Sequence, residues 1–221
     1  MKKKLLLTFL LFGVSLVAQI HNSDTTFVIN KKKFNINKRE INSSKVKLTI
    51  KRNSKTIMTE TLDSDGLANI EFPDFNNDGN KDIMLVYMGN NFTYYLYLFD
   101  KINNSFKKVE GFERFPESTQ LTTNPNFYYS YQRAGCADLN WVSDLFYIKD
   151  FKTVHVGHIY GKGCDYEIKE NPQIIEVYKI SGNKETNRKL IENLPYIKNV
   201  PRFDEKWEFI KKYWNSNYQK F

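Results

Sequence analysis

Apolar and polar residues alternate with a period of two along most of this chain. Val46-Lys47-Leu48-Thr49-Ile50-Lys51-Arg52 is the plainest stretch, and strict alternation marks a strand with one face buried. Asn53-Ser54 turns it into Lys55–Leu62, so the pair predicts a hairpin. Thr25–Asn30, Phe34–Ile36, Leu67–Phe72 and Gln173–Ile180, the last ended by Gly182 and Asn183, read as further strands. Phe127–Arg133, Trp141–Ile148 and Thr153–Tyr160 read the same way, and Asp100–Phe106 reads as a turn into a short one. Ile83–Met88 and Thr93–Phe99 are apolar on both faces, which predicts central strands covered on both sides. Residues 112–126 carry two prolines among polar residues and read as a long loop. The period changes only near the end. Trp207, Ile210, Trp214 and Tyr218 recur at helical spacing behind Asp204, a residue type that caps helices. The pattern predicts a mainly β chain of antiparallel sheets with one C-terminal amphipathic helix packed against them.

Between two of these strands lies Asp74-Phe75-Asn76-Asn77-Asp78-Gly79-Asn80-Lys81-Asp82. Ca²⁺ takes six to eight oxygens, and ligands at loop positions 1, 3 and 5 can wrap around one ion. Here those positions are Asp74, Asn76 and Asp78, with the Asn80 backbone carbonyl at position 7 and Asp82 at position 9. Gly79, at position 6, permits the sharp turn that a Cβ resists. An EF-hand would carry Glu at position 12 and helices on both flanks, whereas position 12 is Leu85 and both flanks read as strands. The plain alternative is a metal-free turn, because Asp, Asn and Gly all favour turns. Asp63-Ser64-Asp65-Gly66, one strand earlier, is a second acidic turn that either stands alone or lends oxygens to the same ion.

The 221 residues, 41% of them hydrophobic, are enough for one globular domain or two small ones. The first 18 read as a secretory signal: Lys2, Lys3 and Lys4, an apolar run from Leu5 to Val17, and a small residue, Ala18, before cleavage. The run is short for a membrane span, and no later stretch is apolar enough. The expectation is a single β-rich domain over residues 19–221, in the periplasm or outside the cell. Removing residues 1–18 takes away three lysines and no acid, so the net charge falls from +8 to +5. Mild basicity in an exported protein argues against nucleic acid as partner, and Lys31-Lys32-Lys33 reads as a solvated edge. Cys136 and Cys164 form an even pair, which predicts a disulfide in an oxidising compartment. The rival is a zinc site shared with His155 and His158, against which stands the strand geometry: residues three apart point to opposite faces.

The order of the D-x-N-x-D-G-x-x-D loop Asp74–Asp82, the aromatic strand Tyr94–Asp100, Phe106, and the tyrosine-rich pair Phe127–Tyr147 resembles exported bacterial proteins with FG-GAP/VCBS-like calcium loops. Members of that group are immunity proteins against lysozyme-like peptidoglycan hydrolases. The resemblance spans Leu67 to Cys164 and implies a propeller-like β fold, bound Ca²⁺ and a peptidoglycan hydrolase as protein partner. It does not extend to residues 19–60 or 185–221. No nucleophile elbow and no H-E-x-x-H motif occur, so an enzyme is not expected. Inhibition would work by occlusion of a sugar cleft, through loops near the disulfide at Arg133–Asp138 and His158–Lys162. Tyr131, Arg133, His158 and Tyr160 are the candidate partner-binding side chains, since Tyr and Arg are enriched at interface hot spots. The alternative is a structural or adhesive calcium-stabilised module at the cell surface.

Overall fold

The computed structural model describes residues 22–29, 32–166, 169, 172–182 and 184–221. The expected leader 1–18, residues 19–21, Asn30, Lys31 and Asn183 lie outside them. The described residues form three antiparallel sheets and a C-terminal helix. The first sheet is the meander β1 (Ser23–Ile29), β2 (Lys32–Asn42), β3 (Lys45–Arg52) and β4 (Lys55–Asp63). Asn53 and Ser54 take φ of 48° and 66°, the left-handed pair that a two-residue hairpin needs. The second meander is β5 (Leu67–Glu71), β6 (Ile83–Tyr87), β7 (Thr93–Asp100) and β8 (Ser105–Lys108). The third sheet holds β9 (Thr119–Gln120), β10 (Phe127–Tyr129), β11 (Gln132–Arg133), β12 (Asn140–Lys149), β13 (Lys152–Lys162), β14 (Ile174–Ser181) and β15 (Lys184–Pro195). It runs β15-β14-β13-β12-β10-β9, with the short β11 also paired to β12.

The sheets stack face on face, and the pleat of β7 shows how. Tyr97 and Phe99 enter a core shared with Phe34, Leu48 and Ile50 of the first sheet. Leu96 and Leu98, on the other face, enter a core with Tyr128 and Phe146 of the third. β12 repeats this alternation. Phe146 faces the second sheet, while Trp141 and Leu145 face a third core with Ile210, Tyr213 and Trp214 of the helix. Four layers result, each inner sheet apolar on both faces, as the two-sided apolar strands predict. A closed propeller takes about four to eight blades; the three sheets here form no ring, so the propeller-like arrangement expected from the resemblance is not seen among the described residues.

Several elements differ from expectation, among them the long loop 112–126, which holds a 3₁₀ turn over Phe112–Arg114 and the short strand β9. The stretch Phe127–Arg133 is broken at Ser130-Tyr131 into β10 and β11, because the Ser130 and Tyr131 amides bond to the carbonyls of Asp144 and Pro116. β15 was not predicted: its polar sequence lacks alternation, and it lies at a sheet edge, where charge blocks pairing with another chain. A short helix, α1 (Tyr196–Asn199), leads from it to α2 (Lys206–Asn217). α2 starts two residues after Asp204, which sits in a 3₁₀ turn over Phe203–Glu205 and makes no side-chain cap. Ile210, Tyr213 and Trp214 form its buried face, and Trp207, one turn earlier on the stripe, remains 42% exposed.

Candidate functional site

The acidic loop between β5 and β6 is drawn tight by its own oxygens. Asp74 accepts from the amides of Asp78 at 2.9 Å and Gly79 at 3.0 Å. Asp78 accepts from the Asn80 amide at 2.8 Å and from its side-chain nitrogen at 2.7 Å. Asn76 Oδ1 accepts from the Asp78 amide at 3.3 Å. Gly79 has φ 84°, a conformation an L side chain resists. Asp82 is wholly buried. Its two oxygens accept from the amides of Phe75 and Phe99, both at 2.9 Å, and so tie the loop to β7. Burial pushes its carboxyl up to about 6, against those two bonds, and the negative charges of Asp78 and Asp74 push the same way.

Two observations bear on a cation in this loop. Asn80 is 1% exposed and its Oδ1 has no hydrogen-bond partner, although buried carbonyls of this kind are nearly always satisfied. Oxygen is also the only donor type the loop offers, which suits a hard ion such as Ca²⁺. Lys101 meanwhile reaches the loop from outside, 3.0 Å from the Asp78 carbonyl and 3.5 Å from its carboxylate. The residues that could hold the ion are Asp74, Asn76, Asp78, Asn80 and Asp82. In the earlier acidic turn, Asp63 is engaged elsewhere, paired with Lys45 at 2.5 Å.

The predicted disulfide is formed. Cys136 and Cys164 are bonded with Cα atoms 5.7 Å apart, which takes both cysteines out of the zinc site weighed from the sequence. Around it the chain is held in an uncommon shape. Cys136, Ala137 and Asp138 all have positive φ, at 52°, 48° and 72°. Non-glycine residues there cost about 1–3 kcal/mol each and persist only where surroundings enforce them. The enforcing contact is Lys206 at the start of α2. It is fully buried and its ammonium lies 3.0 Å from both the Asp138 carbonyl and its carboxylate. The same ammonium sits 3.7 Å from the ring centre of Phe203, 4.4 Å from Trp207 and 5.3 Å from Tyr131. Burial lowers its pKa, and Asp138 opposes that. Tyr131 donates its hydroxyl to Asp138, and burial together with that bond raises its pKa.

The four predicted partner-binding residues divide between two faces of the third sheet. Arg133 pairs in register with Trp141 and stands on the helix side, exposed, 3.6 Å from Asp138. Tyr131 is on that side too, but 7% exposed and committed to Asp138. His158 and Tyr160 pair with Asp144 and Val142, whose side chains take the other face. Residues His158–Lys162 are also strand β13, not a loop, because their ladder to β12 and β14 is unbroken there. The structure therefore leaves Arg133 exposed at the end of the two-residue strand β11, where the chain enters the disulfide loop, and places His158 and Tyr160 in no loop at all. It adds Phe203 and Trp207, 46% and 42% exposed, beside the loop. Sequence spacing puts Trp207 on the helix's apolar stripe, and only the folded chain shows that it stays uncovered.

No family model matches the chain, and no curated protein is found similar to it. Among solved structures, a Xanthomonas protein described as related to a type IV secretion system is similar over 78% of this chain and 98% of its own. The two are 15% identical with a TM-score of 0.48, a likeness that carries no argument about function. No helix of the described residues is long and apolar enough to cross a membrane.

Proposed function

We propose that this chain is an exported, calcium-stabilised binding protein that blocks a lysozyme-like peptidoglycan hydrolase with the disulfide-braced loop Arg133–Asp138. The observation that carries the reading is the enforced left-handed run Cys136–Asp138, cross-linked at Cys136 and pinned by Lys206. Strain held in place beside exposed groups is characteristic of binding sites, and a loop fixed beforehand loses little entropy on binding. Arg133, Phe203 and Trp207 supply the side chains for contact, residue types that fit interface hot spots. The choice of partner follows the resemblance carried by Asp74–Asp82 and Tyr94–Asp100. Ca²⁺ serves the fold in this reading: its ligands are consumed by the ion and by loop amides, so none is left for a partner.

The test is hydrolysis of peptidoglycan by a panel of lysozyme-like enzymes, with and without the purified protein. Arg133→Ala combined with Trp207→Ala should weaken inhibition at least tenfold, about 1.4 kcal/mol, and leave the calcium-dependent rise in melting temperature intact. Undiminished inhibition by the double variant places the contact elsewhere. If no enzyme of the panel is inhibited, the chain is instead a structural or adhesive calcium module.

A further inference from the structure

His155 and His158 are three apart on one strand, and regular pleating would send them to opposite faces. They are on the same face. In the ladder between β12 and β13, Leu145 pairs with Gly157 and Phe146 with His155, so Val156 is left without a partner. That bulge shifts the phase by one residue. Asp144 and Phe146 project on one face of β12, so their partners His158 and His155 project with them. Bulges re-aim side chains in this way and are over-represented beside active sites.

Both imidazoles converge on one carboxylate oxygen. Asp144 Oδ1 lies 2.7 Å from His158 Nδ1 and 3.0 Å from His155 Nε2, and His155 Nε2 is also 2.9 Å from the Gly157 carbonyl. Among the described residues this is the one group of three or more His, Cys, Asp or Glu whose ligand atoms all lie within 4.8 Å of one another. Asp144 and His155 are buried, and the His158 side chain retains 15% of its exposure, which leaves a way in from solvent beside Tyr178. Phe115, edge-on to His155 with ring centres 5.3 Å apart, gives the site an apolar wall.

We propose that Asp144, His155 and His158 form a binding site for one divalent first-row cation of the Zn²⁺ class, separate from the acidic loop. Two imidazole nitrogens and one carboxylate oxygen are a donor set that Zn²⁺, Cu²⁺ and Ni²⁺ take in preference to Ca²⁺. A tetrahedral ion about 2.0–2.1 Å from its ligands spaces neighbouring donors by roughly 3.3–3.4 Å. Binding therefore opens the present contacts of 2.7 and 3.0 Å, by about 0.6–0.7 Å at His158 and about 0.3–0.4 Å at His155. To bind the ion, His155 Nε2 and His158 Nδ1 must be free of hydrogen, so a neutral ring passes that proton to its other nitrogen by way of solvent and a charged ring releases one to solvent. Each neutral imidazole then carries its proton on its other nitrogen, His155 on Nδ1 and His158 on Nε2. Three protein ligands leave the fourth position to water, the pattern of sites that keep an open coordination place.

The measurement is isothermal titration of metal-stripped mature protein with Zn²⁺, in saturating Ca²⁺. His21→Ala is included throughout, so that the third histidine of the chain adds no ligand. One Zn²⁺ should bind per chain. His158→Ala should weaken it at least tenfold, and Asp24→Ala, in an exposed pair with Arg39 on the first sheet, should leave it unchanged. Absence of Zn²⁺ binding, or equal affinity in His158→Ala, overturns the proposal. Because His155 is buried and its variants are at risk of misfolding, its part is read on the unaltered site instead. The Cu²⁺-loaded protein should show coupling to two imidazole nitrogens by electron paramagnetic resonance, and coupling to one or none also overturns it.

Discussion

Asp82 and Asp144 are both carboxylates almost wholly withdrawn from water, at 0% and 7% exposure, and they come out with opposite charge preferences. Asp82 accepts two backbone amides and is still pushed up to about 6, by burial first and then by the acids around it. For Asp144 burial acts in the same direction, but the two histidine hydrogen bonds outweigh it and hold the carboxyl at about 2. The number of hydrogen bonds is therefore not what separates them. What differs is the sign of the surroundings: Asp82 sits among other carboxylates, and Asp144 sits between two proton donors that can share its charge. The acidic loop is short of positive charge, and a cation would supply it. The carboxylate of the histidine centre is instead satisfied by hydrogen bonds to the two rings.

The hardest test of this contrast is truncation. Asp144→Ala removes the carboxylate that both imidazoles contact, and breaking a buried pair of this kind costs about 3–5 kcal/mol. Asp82→Ala, in chelator, should cost clearly less, since it also removes a charge that burial disfavours. Equal losses in urea denaturation would break the comparison. Next in size is calcium itself. At one hundred times its Kd, a ligand that binds only the folded state stabilises by about 2.7 kcal/mol, and Asp78→Ala should abolish most of that gain. An identical melting curve in calcium and in chelator would remove the ion from the loop.

The smallest effect is pH-dependent, and its sign differs between the two acids. The folded-state pKa of Asp82 is raised above its ordinary 3.8. Its contribution is therefore fully present below about pH 4 and lost as pH rises through 6. Asp144 is depressed from the same value to about 2, so its contribution is present above about pH 4 and lost as pH falls toward 2. In chelator, the Asp82 term alone should add about 1 kcal/mol between pH 7 and pH 5, and acidification below pH 4 should reverse the trend. Asp82→Asn should lack the first gain. A gain of the same size in that variant would assign it to other groups.

Much of this fold is legible along the chain, because burying one face of a strand or helix imposes a period on the residues that do it. The hairpin Lys45–Asp63, the two-sided strands β6 and β7 and the aromatic helix α2 all follow from that rule. So does the acidic loop, whose spacing is set by short-range turn geometry. The disulfide follows from compartment and cysteine count. Tertiary structure alone decided the rest, for reasons that act across the chain. β15 exists because β14 offers it an edge, so its own residues needed no apolar period. The left-handed run Cys136–Asp138 depends on Lys206, 68 residues away from Asp138, and no local preference favours it. The two histidines share a face only because Val156 is bulged against β12. A one-residue change of phase reverses the direction of every side chain after it, and where that change falls is fixed by the partner strand.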